Sequence, residues 1–423
     1  MSLYTEFLWV LPFILLLTCI AVFPLVSKHW WEKNFPWVCL GFSLVIVFRY
    51  LFQLHDAPSL LRSLSDYFSF ICLVGSLFVV AGGIHIRVKG GATPAANCLF
   101  LFAGALLANV LGTTGASMVL VRPWLRMNKD RVRAYHVVFF IFIVSNIGGA
   151  LTPVGDPPLF LGYLEGVPFF WPLRNLFFIW SLTIGALLAV FFVWDILNCR
   201  KDPEEVLRKE TAHEEWKIEG GLNFFFLAAI LAAVFLRRPP FLSEGIMLAA
   251  AFLSYVTTSK TLHRQNEFNF GPIREVAILF AGIFVTLVPA LAWLEKYASQ
   301  IGLSGAGQFY WGSGVLSSVL DSAPAYLDFL SAARGLFRTG PGPAGVGVLL
   351  QNHPAYVLAI SVGTVLFGAV TYIGNGPNLL VKAVAERSGV KTPHFFEYCF
   401  RYSFPVLLPL FAALWYFFFR LPS

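Results

Sequence analysis

Long apolar runs recur along this chain from one end to the other, and most approach the length a helix needs to cross a bilayer, about 20 residues. Read in order, the candidate spans are 7–26, 35–52, 67–84, 137–163, 175–197, 222–236, 240–257, 273–294, 355–384 and 402–419. Composition agrees with this pattern. The 423 residues are 57% hydrophobic and only 13% charged, where soluble domains carry about 25% charge. Too little polar surface is available to coat a globule, and a bilayer removes that need. The expected fold is an all-α polytopic membrane protein with about ten crossings.

The net charge of +7 does not call for nucleic acid as a partner, because basic residues of membrane proteins gather in cytoplasmic loops. Cys19, Cys39, Cys72, Cys98, Cys199 and Cys399 are scattered without a CxxC pair, and they read as small apolar packing residues. The first apolar block has no basic stretch before it and no small-residue cleavage site, so it reads as a retained span. GxSxG, HExxH, Walker A and Rossmann patterns are absent in any credible context, which argues against an enzyme or an ATP-driven pump. No cofactor is expected.

Two further apolar blocks, 93–125 and 299–336, do not fit a single crossing. About 33 helical residues would measure about 50 Å, and each block has a polar middle. One holds Asn109-Val110-Leu111-Gly112-Thr113-Thr114-Gly115 and the other Ser317-Ser318-Val319-Leu320-Asp321-Ser322-Ala323-Pro324. Both read as re-entrant hairpins, since irregular backbone at that depth is tolerated only inside protein or along a watery cavity. With both blocks re-entrant, most basic loop residues fall on one side: Lys28, Lys33, Arg87, Lys89, Arg122, Arg126, Lys129, Arg131, Arg133, Arg200, Lys201, Arg208, Lys209, Lys217, Lys260, Arg264, Arg387 and Lys391. Arg62, Arg174, Arg237, Arg238, Lys296, Arg334, Arg338 and Arg420 fall on the other. The positive-inside rule then places both termini outside, that is, periplasmic for a bacterial inner membrane.

An internal repeat organises these pieces. Asn109-Val110-Leu111-Gly112-Thr113 aligns with Ser318-Val319-Leu320-Asp321-Ser322, and the segment from Gly149 to Pro158 aligns with the one from Gly368 to Pro377, pairing Thr152 with Thr371. The second offset is longer, and a Gly/Pro-rich loop at 339–347 supplies the difference. Each half reads as three spans, a hairpin, a broken span and a final span. Residues 1–197 form the first half, the charged segment 198–221 the linker and 222–423 the second half. An odd number of crossings inverts the second half, and inverted repeats with broken helices are a common way to build a midplane binding site in secondary transporters.

The breaks carry the candidate chemistry. Proline inside a span removes a helix hydrogen bond, and Pro at a helix start after a cap residue is favoured. Asp156 is therefore expected to cap a half-helix starting at Pro157, and Pro377 to begin one carrying Asn378. The carbonyls freed at 150–152 and 369–371 are expected to be able to coordinate a cation. Asp156 and Asp321 are intramembrane carboxylates, costly and functional by default. The bland alternatives are an N-cap for Asp156 and a solvated hairpin tip for Asp321. Asn109, Thr113, Thr114, Ser117, Asn146, Thr152, Ser317, Ser318, Ser322, Thr371, Asn375 and Asn378 supply neutral polar groups, though small polar residues also serve helix packing. Asp328 is a weaker candidate. Glu275 and Asp195 read as interfacial, Lys382 and Glu386 as snorkelling from a helix end, and Arg49 as reaching a headgroup or an acidic partner.

At these motifs the chain resembles the ion transporter superfamily. Ser145-Asn146-Ile147-Gly148-Gly149-Ala150-Leu151-Thr152-Pro153-Val154-Gly155-Asp156-Pro157-Pro158, Ser318-Val319-Leu320-Asp321-Ser322-Ala323-Pro324 and Gly374-Asn375-Gly376-Pro377-Asn378 carry the likeness. The sequence is most similar to the NhaD-like sodium/proton antiporters, with the citrate and divalent-anion carriers as more distant relatives. The resemblance implies an elevator-type transporter and commonly a homodimer. Dicarboxylate carriers usually read Ser-Asn-Thr at the hairpin tips and Thr-Pro-Pro at the breaks. Here the tips read Gly112-Thr113-Thr114 and Asp321-Ser322-Ala323, and Asp156 precedes Pro157.

Two carboxylates would repel a dianion, since unit charges about 4 Å apart at an effective dielectric near 20 interact by about 4 kcal/mol. They suit a site alternately occupied by a cation and protons. Sodium (or lithium)/proton antiport across the inner membrane is therefore the expected function, with Asp156 and Asp321 as ligands of the transported ion. A sodium- or proton-coupled carrier of an organic or inorganic anion, such as citrate or a dicarboxylate, is the alternative. A membrane-embedded enzyme or assembly subunit lacks the nucleophile, base or metal constellation it would need.

Overall fold

The computed structural model describes residues 6–89, 93–129, 131–199, 215–236, 239–300 and 302–420. In chain order the helices are α1 (Leu11–Val26), α2 (Lys28–Phe48), α3 (Ala57–Gly82), α4 (Pro94–Met127), α5 (Ala134–Ile143), α6 (Pro157–Leu164), α7 (Trp171–Cys199), α8 (Leu222–Ala233), α9 (Leu242–Thr257), α10 (Lys260–Gln265), α11 (Gly271–Tyr297), α12 (Ala306–Val319), α13 (Ser322–Phe337), α14 (Gly342–Asn352), α15 (Pro354–Phe367), α16 (Gly376–Arg387) and α17 (Phe395–Phe418). Seven helices among the described residues are long and apolar enough to cross a membrane. All ten expected spans are helical, but α1, α8 and α9 are shorter than a simple crossing, and the two broken spans are split into half-helices. The chain is an all-α, multi-pass membrane protein.

The block expected as the first hairpin is one continuous run of helix only by hydrogen bonding. Gly112 breaks it with φ 73° and ψ 156°, a conformation open to glycine and strained for other residues. The two limbs fold against each other. Asn97 and Asn128, at opposite ends of the block, exchange side-chain amide bonds of 2.9 and 3.0 Å, and the rings of Phe100 and Trp124 lie 5.3 Å apart. A straight helix would hold those ends about 45 Å apart. The second hairpin closes in the same way, with Phe309 of α12 5.9 Å from Phe329 of α13.

One expectation needs correction. The run 339–347, read as a loop, holds the start of α14, where Pro343 sits in the first turn that tolerates it. A bend of 105° then separates α14 from α15. The linker 198–221 is not wholly irregular: β2 (Glu215–Glu219) pairs antiparallel with β1 (His85–Lys89), matching Arg87 to Lys217. This ribbon ties the linker to the chain just before the first hairpin. Its period-2 signal is too short to stand out among charged residues. Arg200, Lys201, Arg208, Lys209, Arg237 and Arg238 lie outside the described residues.

Charged side chains collect at two ends of the molecule. Arg122 pairs with Glu267 at 3.0 Å at the ribbon end, where Asn266 also bonds the carbonyls of Gly82 and Ile84. At the far end Lys296 meets Glu6 at 2.8 Å and Arg334 meets both Glu165 and Glu295 at 3.0 and 3.2 Å. The guanidinium of Arg49 is buried and stacks 4.0 Å over Trp9, so an aromatic face stands where a headgroup or an acid was expected.

Candidate functional site

The two broken spans are built alike. In the first, α5 ends at Ile143, a 3-10 turn covers Ile147–Leu151, and α6 restarts at Pro157. In the second, α15 ends at Phe367 and α16 restarts at Gly376. The residues before each restart, Asp156 and Asn375, share one extended conformation (φ −142°, ψ 138° and φ −153°, ψ 138°). Within each break a threonine bonds the hairpin beside it. Thr152 donates to the Asn109 carbonyl and Thr371 to the Ser318 carbonyl, both at 2.6 Å. The same threonine hydroxyls accept from Gly155 N at 3.0 Å and Gly374 N at 3.2 Å. The crossings between Gly149 and Gly155 and between Gly368 and Gly374 leave no room for a side chain: a Cβ on Gly149 would lie 2.6 Å from the Gly155 carbonyl, and one on Gly374 would lie 2.8 Å from that of Gly368.

The breaks also touch each other. Asp156 is fully buried and caps nothing through its side chain. Its Oδ1 accepts from the Thr113 hydroxyl and from Asn375 Nδ2, each at 3.1 Å, while its Oδ2 has no partner among the described residues. The bland reading of Asp156 as an N-cap alone therefore fails. Asn375 Nδ2 also reaches the Ser145 carbonyl at 3.2 Å. Alongside, Asn146 Nδ2 donates to Asn378 Oδ1 at 2.7 Å, and Asn378 Nδ2 donates to the carbonyls of Gly368 and Thr371 at 2.9 and 3.0 Å. Asn146 Oδ1 is buried and has no partner among the described residues.

Asn109 locks the first hairpin to the first break. Its Nδ2 donates to the Gly148 carbonyl at 2.7 Å and its Oδ1 accepts from Leu151 N at 2.8 Å. Thr113 N donates to the Gly155 carbonyl at 2.8 Å. Ser117 meets the Ser145 hydroxyl at 2.8 Å, and Ser317 donates to the Thr364 carbonyl at 2.6 Å. Asn109, Thr113, Thr152, Asp156, Ser317, Ser318 and Thr371 thus lie where hairpin meets broken span, and Asn146, Asn375 and Asn378 where the two breaks meet each other.

Four expectations fare differently. Asp321 is half-buried, and its side chain accepts from Ala323 N at 3.1 Å, so it caps α13 instead of joining the bonds between the breaks. Thr114 stands half-exposed beside the first hairpin tip, and Ser322 is buried with no partner for its hydroxyl among the described residues. The carbonyls expected as cation ligands in the second break are engaged by the protein: Ala369 accepts from Tyr398, Val370 from Ser403 and Thr371 from Asn378. Among the described side chains at the junction, Asp156 Oδ2 and Asn146 Oδ1 are buried without a hydrogen-bond partner.

Asp195, read as interfacial from its place near a span end, is enclosed by protein. It is fully buried at the base of the first hairpin. Arg131 Nη2 reaches its two oxygens at 2.8 and 2.6 Å, the Tyr135 hydroxyl donates at 2.6 Å and Asn97 Nδ2 at 2.9 Å. His136 accepts from Arg133 N through Nδ1, so its proton sits on Nε2, 3.4 Å from Asp195. Asp328 is buried too, with Oδ1 lacking a partner among the described residues. Lys382 and Glu386 pair with each other at 2.6 Å.

Comparison with protein families gives one match. The model of the CitMHS_2 family, described as "Putative citrate transport", covers residues 3–419. No curated protein matches the chain.

Proposed function

The chain belongs to the CitMHS_2 family, and from that premise we propose that it is a secondary carrier of a small organic anion of the citrate or dicarboxylate class, coupled to sodium ions or protons. One observation carries the reading. Two half-helix N-termini, preceded by Asp156 and Asn375, meet through a 3.1 Å side-chain bond in the protein interior. Half-helix N-termini turn positive dipole ends toward an anion. Here they act as dipoles more than as donors, since Pro157, Pro158 and Pro377 carry no N–H and Leu159 N already donates to the Asp156 carbonyl. Asp156 Oδ2 and Asn146 Oδ1 offer oxygens to a cation in the same junction.

Charge then supplies the coupling. An anionic carboxylate about 4 Å from an ionised Asp156 would be repelled by about 4 kcal/mol at an effective dielectric near 20. A sodium ion or a proton on Asp156 removes that penalty, so the anion binds well only after the cation. Neither alone satisfies the junction, which couples the two fluxes.

The rest of the proposal follows the same architecture. The two halves, 1–197 and 222–423, are inverted repeats. Hairpins and breaks move as one body against the remaining helices in an elevator-type cycle, within a homodimer surrounded by lipid. The basic ends about the ribbon face the cytoplasm of a bacterial inner membrane and the termini lie outside. The chain acts as a carrier and not as an enzyme.

The purified protein in proteoliposomes tests this. Labelled citrate should accumulate under an inward sodium or proton gradient and not without one. Sodium/proton antiport is the second reading, favoured by the buried Asp156 carboxylate. It returns if a panel of di- and tricarboxylates shows no flux while sodium or lithium collapses an imposed pH gradient.

A further inference from the structure

Two cavities share Phe160 and are both lined by α3 and α6, the outer one also by the turn between α8 and α9 and the start of α9. The outer one, of about 270 Å³, is lined by Ser65, Ser69, Phe160 and Glu244 among others. The inner one, of about 30 Å³, is lined by Leu73, Leu77, Phe160 and the first hairpin tip at Gly112 and Thr113. Ser65, Ser69, Leu73 and Leu77 are spaced by four and share one face of α3. Exposure falls along that face: Ser65 is exposed, Ser69 half-buried, and Leu73 and Leu77 are buried. On α6, Pro157 lines the inner cavity and Tyr163 the outer one, so the two helices run antiparallel along one track. Phe160 lines both cavities and is 4% exposed.

From this we infer that the α3–α6 groove is the route by which solute reaches the junction from the side away from the ribbon, and that the Phe160 ring is its gate. The inference rests on the junction of hairpins and breaks being the transport site. The mouth is polar, with Ser69 donating to Glu244 at 2.5 Å. Beyond the ring the track turns apolar and ends at Thr113, whose hydroxyl bonds Asp156. The inner cavity holds about one water molecule, so the ring must swing or α6 must shift before anything as large as citrate passes. In this structure the space narrows sharply at the ring, from the wide cavity on one side to the small one on the other.

Thiol accessibility tests the gate without reference to transport. The six natural cysteines are replaced, and single cysteines are introduced by Ser65→Cys outside the ring or Leu77→Cys inside it. Each is reacted with a membrane-impermeant cationic methanethiosulfonate applied from the vestibule side. Ser65→Cys should react fast and Leu77→Cys slowly. Adding Phe160→Ala, which removes the ring and leaves a void, should speed Leu77→Cys about tenfold and leave Ser65→Cys unchanged. Phe160→Trp should slow Leu77→Cys further, and Phe160→Leu replaces the alanine variant if that one does not fold. An unchanged Leu77→Cys rate on loss of the ring, or an equal rise at both positions, overturns the gate. A failure to carry citrate leaves this readout standing, so the two proposals fail separately.

Discussion

The two breaks have nearly the same backbone and quite different side chains. Thr152 and Thr371 make the same 2.6 Å bond to the neighbouring hairpin, and Asp156 and Asn375 hold the same conformation before the same kind of restart. Yet one position carries a carboxylate and the other an amide. The first break keeps an oxygen, Asp156 Oδ2, with no partner among the described residues, while the carbonyls 369–371 of the second are all engaged. A repeated backbone thus carries two different sets of side chains, and the proposed ion coupling assigns the cation to the first break.

The sharpest way to break that comparison is to move the charge. Asp156→Asn keeps the size and the bonds to Thr113 and Asn375 within reach but removes the charge. Gradient-driven citrate uptake should fall about 100-fold, about 2.7 kcal/mol at 1.36 kcal/mol per decade. If the two backbones are equivalent, Asn375→Asp added to that variant should recover part of the loss. Uptake unchanged in Asp156→Asn would remove the residue from the coupling site.

The hairpin bases differ as the breaks do. Asp195 is fully buried among Arg131, Tyr135, Asn97 and His136, whereas Arg334 of the second hairpin meets two partly exposed carboxylates. Removing one partner from a buried ion pair costs about 3–5 kcal/mol. Asp195→Ala should therefore lower thermal stability in detergent sharply. Glu295→Gln leaves Glu165 on Arg334 and should cost about 1 kcal/mol or less, as partly exposed pairs do. Equal losses at the two bases would refute the contrast.

How much of this could be read beforehand follows from the range of each interaction. The hairpins were legible because length and a polar middle are local signals, and the breaks because Pro and Gly announce themselves. The junction of Asp156 with Asn375 was legible only as a repeat, since the two residues come together from opposite halves of the chain. The buried partners of Asp195 were not legible because they come from three other segments, and nothing local marks a carboxylate near a span end as buried. The start of α14 was hidden by glycines and prolines that usually mark loops. The substrate was the least legible part: two aspartates weighed toward a cation, and the family match moves the weight to an anion.

A smaller effect examines the shared scaffold. Thr152→Val and Thr371→Val each remove one buried donor from the same position, and each should cost about 1–2 kcal/mol in a thermal or denaturant measurement. The two losses should agree within about 0.5 kcal/mol if the backbones are equivalent. A clear gap between them would show that one break leans on its hairpin more than the other.

The smallest expected effect is the one that separates the two aspartates. Asp321 accepts from Ala323 N and so does the work of a helix cap. Asparagine caps a helix about as well as aspartate, whereas alanine costs about 1 kcal/mol. Asp321→Asn should therefore leave stability within about 0.5 kcal/mol and citrate uptake close to that of the parent protein. Asp321→Ala should lose stability alone. The pairing of the two results decides the role. A strong transport defect in Asp321→Asn with unchanged stability would mean that its charge reaches the junction in another state of the cycle, when the second hairpin has moved. The coupling charge would then be shared between the halves, and the asymmetry of the breaks would describe one state only.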